Sequence, residues 1–223
     1  MKKTSLGKAS LEGRAGAVRA QLHKWWAQNG RQFDWRLTRD PYLVLVAELM
    51  LHRTRASQVL PVYRDFTRHY PTLESASIAT SAELTRVLSP LGLRWRNNLV
   101  ISLIHEINDR VGGQVPSSME ELKKLPGVSD YIAGAVDCFV NDSPQVLLDT
   151  NIVRVVGRLA GVNATDSSRR SNTFRNFVRE LMPRMSVREF YFAILDLSAL
   201  VCRPVGPHCE QCPLVKLCRY AEV

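Results

Sequence analysis

The chain has 223 residues, enough for one large domain or two small lobes with a real core. It carries 30 Lys and Arg against 21 Asp and Glu, a formal charge of +9, which favours a polyanionic partner. No apolar run approaches the ~20 residues of a membrane span, and the basic start Met1-Lys2-Lys3-Thr4 has no hydrophobic stretch of the kind a secretory signal needs. An intracellular setting without a membrane partner is expected.

In chain order, residues 1–15 read as a flexible basic tail. Val18, Leu22, Trp25 and Trp26 then share one helical face, and Asn29-Gly30 supplies C-cap chemistry. Pro41 opens an apolar helix from Tyr42 to about Arg53 whose one acid is Glu48. A carboxylate there either points to solvent, pairs with His52 or Arg53, or has a task, because burying it unpaired is costly. Ala56 to Tyr70 is amphipathic, Pro71-Thr72-Leu73 marks a turn, and Ser81 to Leu88 is a short helix with a serine N-cap. After Leu91-Gly92-Leu93-Arg94-Trp95-Arg96 comes a long helix with Leu99, Leu103, Ile104, Ile107 and Val111 on one face and Gly112-Gly113 as its stop.

The segment around which the chain is organised follows. Met119, Leu122 and Leu125 run into Pro126-Gly127, and a second helical pattern begins at once with Ile132, Val136, Phe139 and Val140. Proline cannot continue the first helix, and glycine takes the positive φ of a tight reversal. Backbone N–H groups at the start of the second helix lack intrahelical partners and suit a phosphate. Next, Val146-Leu147-Leu148 ends in Asp149 and leads into another helix with Ile152, Val155, Val156 and Leu159. Asp149 fits a plain N-cap and fits a catalytic carboxylate equally. Convincing strand patterns are lacking, so an all-α fold is expected.

Cys202, Cys209, Cys212 and Cys218 form C-x6-C-x2-C-x5-C. Four thiols so close in an intracellular chain imply a metal site, and spacing alone leaves zinc and an iron–sulfur cluster open. Cys138, on the second hairpin helix, is expected to be a small buried hydrophobe.

Leu125-Pro126-Gly127-Val128 together with Leu148-Asp149-Thr150-Asn151-Ile152-Val153-Arg154 resembles the helix-hairpin-helix and aspartate signature of the endonuclease III superfamily of DNA glycosylases. The likeness runs from about residue 31 to 218. It implies two helical lobes with a DNA cleft between them. One is a six-helix lobe, residues 33–143, with the helix-hairpin-helix at about 118–140; the other is discontinuous, residues 16–32 plus 144–223, and bears a cluster. It also implies a [4Fe-4S] cluster on the four cysteines, Asp149 as the catalytic carboxylate, and Glu48 as an active-site acid. His52 and Arg53 would fill or probe the gap left by a flipped base, Arg94 would lie on a DNA-facing loop, and Gly127 and Ser129 would grip a phosphate. The family hairpin has a second glycine where this chain has Ser129, a residue that tolerates positive φ less well, and the neighbouring Asp130 is expected to point away and cap the second helix.

Tyr131 separates reaction types. Bifunctional relatives place a Schiff-base lysine there; tyrosine cannot form one and is similar to the thymine/uracil mismatch enzymes. The resemblance therefore implies a monofunctional glycosylase acting on T or U opposite G in duplex DNA, as a monomer, cytoplasmic and nucleoid-associated if the cell is prokaryotic. Adenine glycosylases carry a further C-terminal domain, and this sequence ends at Val223, shortly after the last cysteine, which is expected to point the same way. The competing expectations are an adenine or damaged-pyrimidine glycosylase, and a non-catalytic iron–sulfur DNA-binding protein.

Overall fold

The computed structural model describes residues 10–110 and 112–221. Residues 1–9 of the expected tail and Val111 of the long helix lie outside the described residues. The helices are α1 (Ala15–Asn29), α2 (Pro41–Leu51), α3 (Ala56–His69), α4 (Leu73–Ser77), α5 (Ser81–Leu88), α6 (Arg94–Arg110), α7 (Met119–Leu122), α8 (Asp130–Asn141), α9 (Thr150–Ala160), α10 (Asn172–Leu181) and α11 (Val187–Leu200). No strand occurs among the described residues, and the fold is all-α.

The chain divides into two compact units, Gln32–Gln145 in one and the segments up to Arg31 and from Val146 in the other. In the continuous unit, α2 packs against α3, α6 and α8, while α6 also carries α4 and α5. Leu45, Leu49, Phe66, Leu84, Ile104 and Cys138 are fully buried here. Sequence explains why α2 starts where it does. Asp40 accepts from the N–H groups of Tyr42 at 2.8 Å and Leu43 at 3.4 Å, and Pro41 sits at the first helical position. The cap of α5 corrects an expectation: Thr80 is the N-cap, in a reciprocal box with Glu83, and Ser81 is already helical. The Glu83 carboxylate outcompetes a lone serine because it satisfies a second orphan N–H.

In the discontinuous unit, α11 packs on α1 and α9, and α10 packs on α9 and α1. Leu11 is fully buried and residues 12–14 form a 3-10 turn, so the chain is already structured before the tail was expected to end. Gly30 ends α1 with φ −61, not in the left-handed region. Glycine is needed for closeness instead: a Cβ there would lie 2.8 Å from Trp26 Nε1 and from the Trp26 carbonyl oxygen.

Candidate functional site

The hairpin is built as its residues require. α7 is a single turn, Gly127 has φ +76, and a Cβ on it would meet the side chains of Leu99 and Leu49 at 3.1 and 3.2 Å. Ser129 departs from the expectation of strain. Its φ is −82 and ψ 169, an extended conformation open to any residue, and its Oγ accepts from Ile132 N–H at 3.3 Å. Ser129, not Asp130, is therefore the cap of α8, and it occupies one of the N–H groups open to an anion. Asp130 is the exposed first residue of the helix and pairs with Lys123 at 3.5 Å. The electropositive end of α8 is partly satisfied by its own serine and carries an acid in its first turn.

Tyr131 is half-buried in the first turn of α8, and Glu48 is half-buried on α2, which packs against α8. Asp149 belongs to the other unit, with the cysteines. It is the N-cap of α9: Oδ1 accepts from Ile152 N–H at 2.7 Å and Oδ2 from the Asn151 amide at 3.0 Å. The plain-cap reading thus holds, and it leaves room for chemistry. Burial of the carboxyl group pushes its pKa above the ordinary aspartate value; the hydrogen bonds from Ile152 and Asn151 and the charge of Arg154 oppose that rise without cancelling it.

Asn151 and Arg154 were not singled out as functional by sequence, yet they tie this carboxylate to the cysteine loop. Arg154 donates through Nη2 to Asn151 Oδ1 at 3.1 Å and to the Ser198 carbonyl at 3.0 Å, and through Nε to the Cys202 carbonyl at 2.9 Å. Their spacing of three on a helix was the available signal, since it places both side chains on one face.

All four motif cysteines are free thiols lining one recess of ≈ 290 Å³, part of it open to solvent. Arg158 fences it, donating to Cys202 Sγ at 3.3 Å with its guanidinium carbon 4.6 Å from the Tyr220 ring centroid. Burial pushes the Cys212 thiol up to about 11, with the neighbouring cysteines adding to the rise, and Cys218 moves the same way. Crowded, desolvated thiols become thiolates only when a cationic group compensates them, so the donor set fits a thiolate-bound metal centre. Among the described residues, no three His, Cys, Asp or Glu side chains converge as ligands of a single ion. Cys138 is fully buried on α8, as its apolar surroundings predict.

His52 and Arg53 follow α2 in an exposed turn, with Arg53 at φ +61. That conformation costs a non-glycine residue about 1–2 kcal/mol. Trp95, also exposed, stands beside them. The His52 ring meets it edge-on at 5.4 Å between centroids, and the Arg53 guanidinium carbon lies 5.9 Å from its ring centroid. Arg94 is exposed at the start of α6.

The architecture is that of the endonuclease III superfamily. It superposes on endonuclease III in a trapped DNA covalent intermediate with a TM-score of 0.78, at 22% identity, over 95% of this chain and 97% of that one. A thermostable thymine-DNA glycosylase superposes with a TM-score of 0.84 at 30% identity, covering 94% of this chain and 97% of that one. In sequence, the chain is 37% identical over 216 residues to the thymine-DNA glycosylase of Aeropyrum pernix, 94% of this chain and 96% of the relative. It is 38% identical over 203 residues to the thymine/uracil-DNA glycosylase of Pyrobaculum aerophilum, 88% and 87% of the two chains. Rat adenine DNA glycosylase is 32% identical over 213 residues, but these span only 41% of its length. No family model matches. Within the helix-hairpin-helix superfamily, the chain belongs to the thymine/uracil-DNA glycosylases.

Proposed function

We propose that the protein excises thymine or uracil mispaired with guanine in duplex DNA by hydrolysing the N-glycosidic bond, and leaves the strand intact at the abasic site. The observation that carries this is Asp149, a desolvated carboxylate held in one orientation by Ile152 N–H and the Asn151 amide. After the nucleotide is flipped from the stack, the C1′–N bond breaks and the base leaves with the bonding pair. The sugar gains oxocarbenium character, which the ionised carboxylate stabilises. Water then forms the new C1′–O bond and gives its proton to Asp149, the logic of glycoside hydrolysis.

Monofunctional action rests on Tyr131. The lysines nearest to it in sequence, Lys123 and Lys124, are exposed and paired with Asp130 at 3.5 Å and Glu121 at 2.5 Å. Neither lies in the kind of desolvated pocket that activates a Schiff-base lysine. The formal charge of +9 supports duplex DNA as the partner; His52, Arg53, Arg94, Gly127 and Ser129 are assigned to its recognition, and Glu48, with Tyr131 and Asp149, to the active site.

Cys202, Cys209, Cys212 and Cys218 are assigned to a [4Fe-4S] cluster. Support comes from four thiols that line one recess, a donor set that would hold such a cluster. When bound, the cluster supplies structural order and charge to this loop rather than bond cleavage. Visible absorption and iron content of freshly purified protein test it, and colourless protein with stoichiometric zinc overturns it. For the reaction, Asp149→Asn is expected to retain binding of a G:T duplex and to lose base release. Undiminished release would remove Asp149 from the mechanism.

A further inference from the structure

Arg96 is fully buried, and among the described residues no carboxylate pairs with it. Its two terminal nitrogens meet oxygens instead, while the buried Nε has no hydrogen-bond partner. The two N–H groups of Nη1 are shared among three acceptors, the Met50 and His52 carbonyls at 3.0 Å each and the Thr54 hydroxyl, and Nη2 donates to the Leu91 carbonyl at 3.1 Å. Met50 and His52 stand at the C-terminal end of α2, whose carbonyls lack intrahelical partners and attract a cation. A solvated lysine would meet that electrostatic need at far lower desolvation cost. What a buried planar fork adds is geometry. It fixes several oxygens of the 50–54 turn at once and ties that turn to Leu91, beside Gly92 at φ +86.

The turn held in this way is the strained one. Arg53 at φ +61 persists only where its surroundings over-determine it. The result is an exposed cluster of His52, Arg53 and Trp95, an imidazole and a guanidinium beside an aromatic ring. Such a surface suits an unstacked base, which it meets by stacking and by hydrogen bonds to the base edge.

We propose that Arg96 is a positioning residue for mismatch recognition. Its guanidinium locks the 52–54 turn in the left-handed conformation that presents His52 and Arg53 beside Trp95 before DNA arrives. Ordering of the turn is then not charged against binding of the disrupted base pair. This rests on the mismatch-glycosylase reading above.

The test uses the full chain and two duplexes of one sequence. One is fully paired, and the other carries a single G:T pair whose thymidine bears a 2′-fluorine to prevent excision. The ratio of their dissociation constants is read by fluorescence anisotropy. Arg96→Lys is expected to lower that ratio about tenfold, while affinity for the paired duplex and its salt slope stay unchanged, because no phosphate contact is lost. Arg53→Gly, in which glycine adopts φ +61 freely, is expected to lower it similarly, and the double variant to be no worse than either single one. A ratio unchanged in Arg96→Lys, additive losses, or equal loss on both duplexes overturns the proposal.

If Arg96→Lys does not fold, Thr54→Ala, which removes one acceptor and keeps the cation, must lower the ratio, and an unchanged ratio overturns the proposal. Wild-type protein that binds both duplexes alike would contradict the mismatch reading, not the clamp. Hydrogen exchange then decides. The Thr54 amide, bonded to the Leu51 carbonyl at 3.2 Å, must exchange faster in Arg96→Lys, or in Thr54→Ala if that variant alone folds, and unchanged protection overturns the role.

Discussion

Arg154 donates from Nε to the main-chain carbonyl of Cys202 at 2.9 Å, forty-eight residues away in the chain. The other side of the same guanidinium holds Asn151, and Asn151 holds the Asp149 carboxylate. The cysteine loop and the proposed catalytic carboxylate therefore share one hydrogen-bonded path, so order in the loop bears on the orientation of Asp149. Arg154→Gln is expected to lower the single-turnover rate on a G:T duplex by about 10–100-fold, the usual cost of losing such a supporting partner. Rates, with iron content measured in the same preparation, check this. An unchanged rate would show that Asp149 is oriented without Arg154.

The desolvation of Asp149 sets a pH dependence. Its folded pKa lies above the unfolded one, so its contribution to stability is fully present below the unfolded value and is lost as pH rises through the folded value. At neutral pH the ionised group opposes folding. Asp149→Asn, which keeps an acceptor for Ile152 N–H, is expected to leave Tm unchanged or raise it while activity is lost. Conversely, the reaction needs the carboxylate ionised. The acid limb of the single-turnover rate should fall at a pH above the ordinary aspartate value of about 3.9.

Gly127 combines φ +76 with neighbours 3.1–3.2 Å from any added Cβ. Gly127→Ala is expected to cost about 1–2 kcal/mol from the backbone conformation alone. In a chain of this size that lowers Tm by roughly 2–4 °C per kcal/mol. If the hairpin grips phosphate as proposed, affinity for paired and mismatched DNA should fall together. Thermal melts and binding to both duplexes check it, and loss confined to the mismatch would move the hairpin's role to base recognition.

Tyr131 in the first turn of α8 predicts that borohydride traps no covalent DNA adduct with the wild-type protein. Tyr131→Lys is expected to yield a trapped adduct, since it restores an amine at the position where lyase relatives carry one. A wild-type adduct would mean that another amine acts.

Much of this was legible in the chain, and the exceptions have physical reasons. Pro126-Gly127 announces the hairpin because few residues other than glycine adopt its φ readily, and the apolar period of Ile152, Val155, Val156 and Leu159 gives a buried face of α9. The turn at Ser129 was misread because a family glycine suggested positive φ, whereas a serine N-cap satisfies the helix start in an extended conformation. The Thr80–Glu83 box was missed in favour of the adjacent serine, a one-residue shift typical of caps. The helical spacing of Phe174, Phe177, Val178 and Leu181, all buried, is the sequence signal of α10. Arg96 and Arg158 were invisible for another reason. An arginine in a basic chain looks like solvated charge until the carbonyls and the thiol around it are in place.

The most direct measurement incubates the protein with labelled duplexes carrying T:G, U:G, A:G, A opposite 8-oxoguanine, or thymine glycol, each with and without hot alkali. Strand breaks at T:G and U:G that appear only after alkali are the predicted result. Breaks at the adenine duplexes, breaks without alkali, or none on any duplex would contradict a monofunctional thymine/uracil mismatch glycosylase.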